Sequence, residues 1–133
     1  MWKRKLCIGT NDQFELPVPE QIRLFRKIGF DGFFVDYTSR ADIKAQKKIA
    51  DEIGMIYQSV HAPFGRMKEM WETGEEAAAE LMDCLRACAE NGIPMMVAHT
   101  FIGFQDHSPN ERGLENFGKV VAEAERLGVK VAF

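Results

Sequence analysis

Four glycines set the rhythm of this chain. Gly29, Gly54, Gly92 and Gly128 each close a stretch with helical spacing of apolar residues, and each is followed by a short apolar run. The repeat, about 25 to 40 residues, is that of one strand–helix–strand unit. A helix between consecutive strands returns the chain to the same end of the sheet. The pattern therefore dictates parallel strands joined by right-handed crossovers.

The expected strands are residues 6–10, 32–36, 55–61, 95–100 and 129–133. Gly32-Phe33-Phe34-Val35-Asp36 is apolar without alternation until its last residue, as expected of a strand covered on both faces. Pro19 opens the first helix, with Ile22, Phe25 and Ile28 inward. Ser39 with Asp42 caps the second, with Ile43, Ile49, Ala50 and Ile53 inward. Thr73 with Glu76 caps the third, which buries Ala77, Leu81, Cys84, Leu85 and Cys88. Ser108, Pro109 and Glu111 mark the fourth, whose stripe is Leu114, Phe117, Val121 and Ala124. The order β-α-β-α-β-α-β-α-β fills residues 1–133 as one domain, with no linker or low-complexity tract.

An open doubly wound sheet and a closed barrel share this order. Gly9-Thr10-Asn11-Asp12-Gln13-Phe14 follows the first strand, and it holds no G-x-G-x-x-G and no phosphate-cradling G-K-[ST]. The fold class expected is therefore α/β, the N-terminal part of a (β/α)8 TIM barrel with about four and a half βα units and parallel strands.

Charge narrows the partners. A net charge of -3 does not suit a phosphate backbone, so no nucleic-acid partner is expected. No apolar run approaches a membrane span of about 18 residues, and the apolar stretch Leu6-Cys7-Ile8-Gly9 is short for a signal-peptide core of about 7–15. A cytoplasmic protein without membrane contact is expected. Cys7, Cys84 and Cys88 form no C-x-x-C and read as buried reduced thiols rather than ligands.

Chemistry in parallel α/β folds gathers at the carboxyl ends of strands. Strand two ends in Asp36-Tyr37, strand three in His61 and strand four in His99-Thr100. Two of the chain's three histidines thus end successive strands. Neighbouring strands lie about 4.8 Å apart, so the two imidazoles can converge. Such a pair suits a divalent metal or substrate hydroxyls. For one histidine a capping bond to a loop carbonyl is the simpler account; a matched pair favours a shared site. Asp36 either joins that site or caps the next helix. Phe64, Phe101 and Phe104 follow strand ends and wall a pocket or pack the rim. His107, between Asp106 and Ser108, reads as solvated or lid-like.

These pieces resemble the xylose isomerase-like superfamily of (β/α)8 barrels, which includes sugar-phosphate isomerases/epimerases, ketose 3-epimerases and family-2 apurinic endonucleases. The resemblance is carried by Ile28-Gly29-Phe30-Asp31-Gly32, His61-Ala62-Pro63-Phe64, Met96-Val97-Ala98-His99 and Leu127-Gly128-Val129-Lys130-Val131-Ala132-Phe133. It implies a small sugar or sugar phosphate as partner and a divalent metal (Mn, Mg or Zn) as cofactor. It also implies metal-assisted proton transfer next to a carbonyl. His61 and His99 match metal- or substrate-contacting positions of the family, and Asp36, Phe64 and Thr100 are assigned to substrate binding. Asp36 stands where many members carry Glu.

The family's fifth strand typically ends in a metal-binding Glu, expected directly after Phe133, and its acid–base carboxylates lie on later strands. The resemblance thus implies a truncated member of the isomerase/epimerase group, inactive alone and without catalytic residues of its own. A half barrel would also leave Val35, Val60, Val97 and Val131 on a wet face. Self-association into a homo-oligomer, most simply a dimer, is expected to cover it. The alternatives are a non-catalytic self-associating half-barrel module and, less well matched to the charge, an apurinic endonuclease.

Overall fold

The computed structural model of the chain describes residues 4–101 and 109–133. Phe104, His107 and Ser108, singled out above, lie outside the described residues.

Among the described residues, five strands form one sheet in the order β1-β2-β3-β4-β5, every neighbouring pair parallel. They are β1 (Cys7–Gly9), β2 (Gly32–Asp36), β3 (Ile56–His61), β4 (Met95–Val97) and β5 (Lys130–Ala132). The helices are α1 (Val18–Lys27), α2 (Arg40–Ile53), a single turn α3 (Met67–Met70), α4 (Glu75–Glu90) and α5 (Glu111–Leu127). Strand order equal to chain order is barrel topology; a doubly wound sheet reverses direction at a switch point.

The core lies between the sheet and the helices. Phe33, Val35, Tyr57, Val60 and Met96 point toward the helices and are buried. They meet Ile22 and Phe25 of α1, Ile43 and Ala50 of α2, and Leu81, Cys84, Leu85 and Cys88 of α4 in one apolar cluster. Ile49 and Ile53 pack against its margin. Cys84 and Cys88 are fully buried, Cys7 is half-buried, and all three are free thiols.

Caps follow the sequence in part. Ser39 Oγ accepts from Asp42 N, as its spacing predicts, and α2 ends on Gly54 at φ 63°, a left-handed turn that a side chain would strain. The α4 cap is Gly74, at φ 73°, rather than Thr73. An added Cβ there would stand 1.8 Å from Asn116 Nδ2, so only glycine admits this approach of α5. The α5 cap is Asn110, whose Oδ1 accepts from Gly113 N, rather than Ser108.

Three facing assignments are corrected. Ile28 is the exposed C-cap of α1, beyond its packed face. In α5 the buried set is Gly113, Asn116, Phe117, Val120 and Ala124, while Leu114 is 63% exposed and Val121 also faces out. Docking against α4 and α3 turns that helix about one position from the apolar stripe. Val35 and Val60 point into the helix layer, not onto the barrel-lining face. A register shift between Phe33 and Phe34 sets this phase, pairing Phe34 with Ser59 and Val35 with Val60. The inner face carries Phe34, Gln58, Ser59, His61, Met95 and Val97, which line a cavity of about 260 Å³. No described helix is long and apolar enough to cross a membrane.

Candidate functional site

The ladder at the carboxyl ends of the strands builds the site. Asp36 pairs with His61, and His61 pairs with Val97. Tyr37 N donates to His61 O at 2.8 Å, and Ala62 N donates to Val97 O at 2.8 Å, tying three strand ends together. His99 lies two residues past Val97, on the same side of the chain by strand alternation.

The two imidazoles meet. His61 Nε2 lies 2.9 Å from His99 Nε2, a hydrogen bond in which one ring donates and the other accepts. Phe64 presents its ring to both, edge-on, with centroids 5.4 Å from His61 and 5.4 Å from His99. Asp36 Oδ1 stands 3.4 Å from His61 Nδ1, an ion-pair distance without hydrogen-bond alignment. Among the described residues, His61 Nδ1 is therefore a buried polar atom with no hydrogen-bond partner. The two side chains differ in environment: 21% of His61 is exposed against 76% of Asp36.

Burial pushes the His61 imidazole below its ordinary value; Asp36 opposes that shift and His99 adds to it. A ring kept neutral in this way is a hydrogen-bonding group and a potential ligand rather than a fixed charge.

Two neutral imidazole nitrogens suit a divalent cation. A tetrahedral ion with bonds of about 2.0–2.1 Å holds two nitrogens roughly 3.3 Å apart, a slight opening of the observed pair. With a proton on His61 Nδ1, Asp36 becomes the carboxylate that orients a ligating histidine, the usual outer partner of such rings. His61 and His99 fit as part of a coordination shell. Among the described residues, no group of three or more His, Cys, Asp or Glu is arranged to complete one.

Of the strand-end residues read from sequence, His61, His99, Asp36 and Phe64 come together. Thr100 is half-buried at the rim, and its carbonyl accepts from Trp71 Nε1 at 2.8 Å. Phe101 stacks on Trp71 rather than on the histidines, with centroids 5.0 Å apart and planes 3° apart. Asp36 also borders a second cavity of about 310 Å³ shared with Thr10, Asp12, Thr38, Asp42 and Gln46.

Sequence reasoning did not single out four residues that help to shape this end of the sheet. Ser59 and Gln58 lie before His61 and make the inner face polar; the spacing of Ser59 two residues before His61 was the available signal. Trp71 follows no strand directly and gave none. Gln21 is buried, and its amide bonds Asn11 N, Asn11 O and Leu16 O, shaping the loop after β1.

A family model described as xylose isomerase-like TIM barrel matches residues 16–133. No curated protein matches the chain by sequence. Among solved structures, 3-keto-D-glucoside 4-epimerase from E. coli superposes with a TM-score of 0.80 at 21% identity, over 97% of this chain and 55% of that one. D-psicose 3-epimerase with D-tagatose from Clostridium cellulolyticum H10 gives 0.75 at 19% identity, over 96% and 51%. An L-ribulose 3-epimerase gives 0.76 at 16%, over 98% and 49%. The chain spans about half the length of these structures.

Proposed function

The chain belongs to the xylose isomerase-like TIM barrel family, and on that premise we propose that it forms the sugar-binding and cation-binding part of an isomerase or epimerase mouth, centred on His61 and His99. The observation that carries this reading is the 2.9 Å contact between the two Nε2 atoms at the carboxyl ends of adjacent parallel strands. The sugar epimerases named above share this fold, which supports a sugar as the ligand class. The net charge of -3 fits a nucleic-acid ligand less well.

In this reading His61 and His99 hold a divalent cation of the Mn, Mg or Zn type. Such an ion, when bound, polarises a sugar oxygen next to the carbon that changes. Asp36 fixes the proton of His61 on Nδ1 and so aims Nε2 at the ligand. Phe64, 45% exposed beside both rings, offers an apolar wall to the C–H face of a sugar, and Thr100 lies at the rim. Proton transfer next to a carbonyl needs a positioned base. Asp36 stands 3.4 Å from His61 Nδ1, and in this reading its part is to orient that ring rather than to move the proton.

Saturation-transfer NMR with a panel of ketoses, aldoses and their phosphates, in the presence of Mg²⁺, tests the reading. Transfer to at least one sugar, lost in His61→Ala and in His99→Ala, is expected. Absence of transfer to every sugar would remove it.

One observation favours a second role, a self-associating half-barrel module. Phe34 on the inner sheet face is 40% exposed, and no described element covers that face. A second copy seated there would bury it.

A further inference from the structure

His99 lies just past the sheet. The β4 ladder ends at Val97, and the last backbone bond described there is Ala98 N to Ala132 O at 2.8 Å. The position of the His99 ring thus depends on what holds the next residues. Among the described residues, the Trp71 side chain contacts both Thr100 and Phe101. The Trp71 indole Nε1 donates to Thr100 O at 2.8 Å, and its ring lies flat on Phe101. Two consecutive residues after His99 are fixed by one aromatic group.

Trp71 is itself fixed, by α5. Asn116 Nδ2 donates to Met70 O at 2.9 Å, and Asn110 Nδ2 donates to Trp71 O at 2.8 Å. The Phe117 ring tilts against the indole with centroids 5.3 Å apart. Gly113 supplies the space: a Cβ there would stand 1.9 Å from Trp71 Cε3. The segment around α3 is thereby tied to the first turns of α5, and the indole has one seat.

We infer that Trp71 is a positioning residue for His99, carrying the placement of α5 to the histidine pair through Thr100 and Phe101. This rests on the shared-site reading of that pair. An N–H···N contact near 2.9 Å weakens steeply with misalignment, so a small displacement of residues 99–101 separates the rings. Outer groups that orient a ligand typically change metal affinity about 10–100-fold when altered.

The test is Trp71→Phe, which keeps a stacking ring and removes the N–H. In ¹⁵N-histidine NMR of the full chain, wild type shows scalar coupling across the Nε2···Nε2 hydrogen bond. Trp71→Phe loses that coupling while the amide spectrum of α1, α2 and β2 is retained. Affinity for Co²⁺ falls about tenfold in Trp71→Phe. If Trp71→Phe fails to fold, Phe101→Leu, which removes the ring stacked on the indole, is expected to weaken the coupling. Unchanged coupling and affinity in the folded variant would overturn the positioning role and leave the histidine pair standing. Absence of coupling in wild type would overturn the pair, and this role with it.

Discussion

His61 and His99 are 38 residues apart in sequence, and their Nε2 atoms lie 2.9 Å apart at the mouth of a parallel sheet. The contact arises because β3 and β4 are adjacent and in register, His61 opposite Val97. Asp36, one strand further, faces the other nitrogen of His61 at 3.4 Å.

This arrangement fixes a pH dependence. Burial is the largest influence on His61 and lowers its pKa, Asp36 raises it, and His99 lowers it. Asp36→Asn removes the one raising influence, so the His61 titration followed by NMR moves further down. The folded value lies below the unfolded one, near 6.5. The unfolded state therefore binds the proton first as pH falls. The stability His61 contributes is present above about 6.5 and is lost as pH drops through its lowered folded value. In urea titrations wild type is expected to lose stability as pH falls below about 6.5, a pH-dependent loss that His61→Gln does not share.

Both tyrosines of the chain are held protonated. Burial is the main cause for each; Tyr37 also donates to Asp83, and Tyr57 Oη donates to Gln46 Oε1 at 2.7 Å. Their folded pKa values stand above the ordinary phenol value of 10.0. The associated stability is complete below that value and is lost as pH rises beyond it. Absorbance at the phenolate band is expected to stay flat through the usual phenol range and to rise together with unfolding. A normal tyrosine titration in folded protein would contradict both contacts.

Two glycines of α5 make a matched pair. At Gly118 an added Cβ meets nothing within 4 Å, whereas at Gly113 it meets Trp71 Cε3 at 1.9 Å. Gly118→Ala is expected to stabilise by about 0.5–1 kcal/mol through helix propensity. Gly113→Ala makes the same helical gain but displaces the indole, with a net loss of about 1–2 kcal/mol. Thermal unfolding of the two variants should move in opposite directions.

How far the sequence was legible follows from where periodicity carries information. The αL ends at Gly54 and Gly128, the Ser39 cap and the inward set of α4 read directly from local spacing. The histidine pair was legible because strand ends in a parallel sheet share one rim. Which strand face is inner was not: Phe33-Phe34-Val35 is apolar at every position, and in β3 the extra residue Gln58 shifts the phase of Ser59 and Val60 against β2. Polar residues buried on helices, Gln21, Gln46 and Asn116, look solvent-facing in sequence. Each is inside because its amide bonds a neighbouring segment, a relationship that local pattern does not encode.

The uncovered inner face gives a solution-state expectation. Sedimentation at micromolar concentration is expected to show a species heavier than the 15.1 kDa chain, shifted toward the monomer by Phe34→Lys. A folded monomer throughout would exclude the self-associating role while leaving the ligand site untouched.

The most direct test of the account is a Co²⁺ titration of the 133-residue chain, followed by visible absorption and by the His61 and His99 ring signals. The account predicts one equivalent bound with nitrogen-ligand bands, both rings perturbed at Nε2, and binding abolished by either His61→Ala or His99→Ala. Co²⁺ binding that survives both substitutions, or rings that do not respond to the ion, would contradict it.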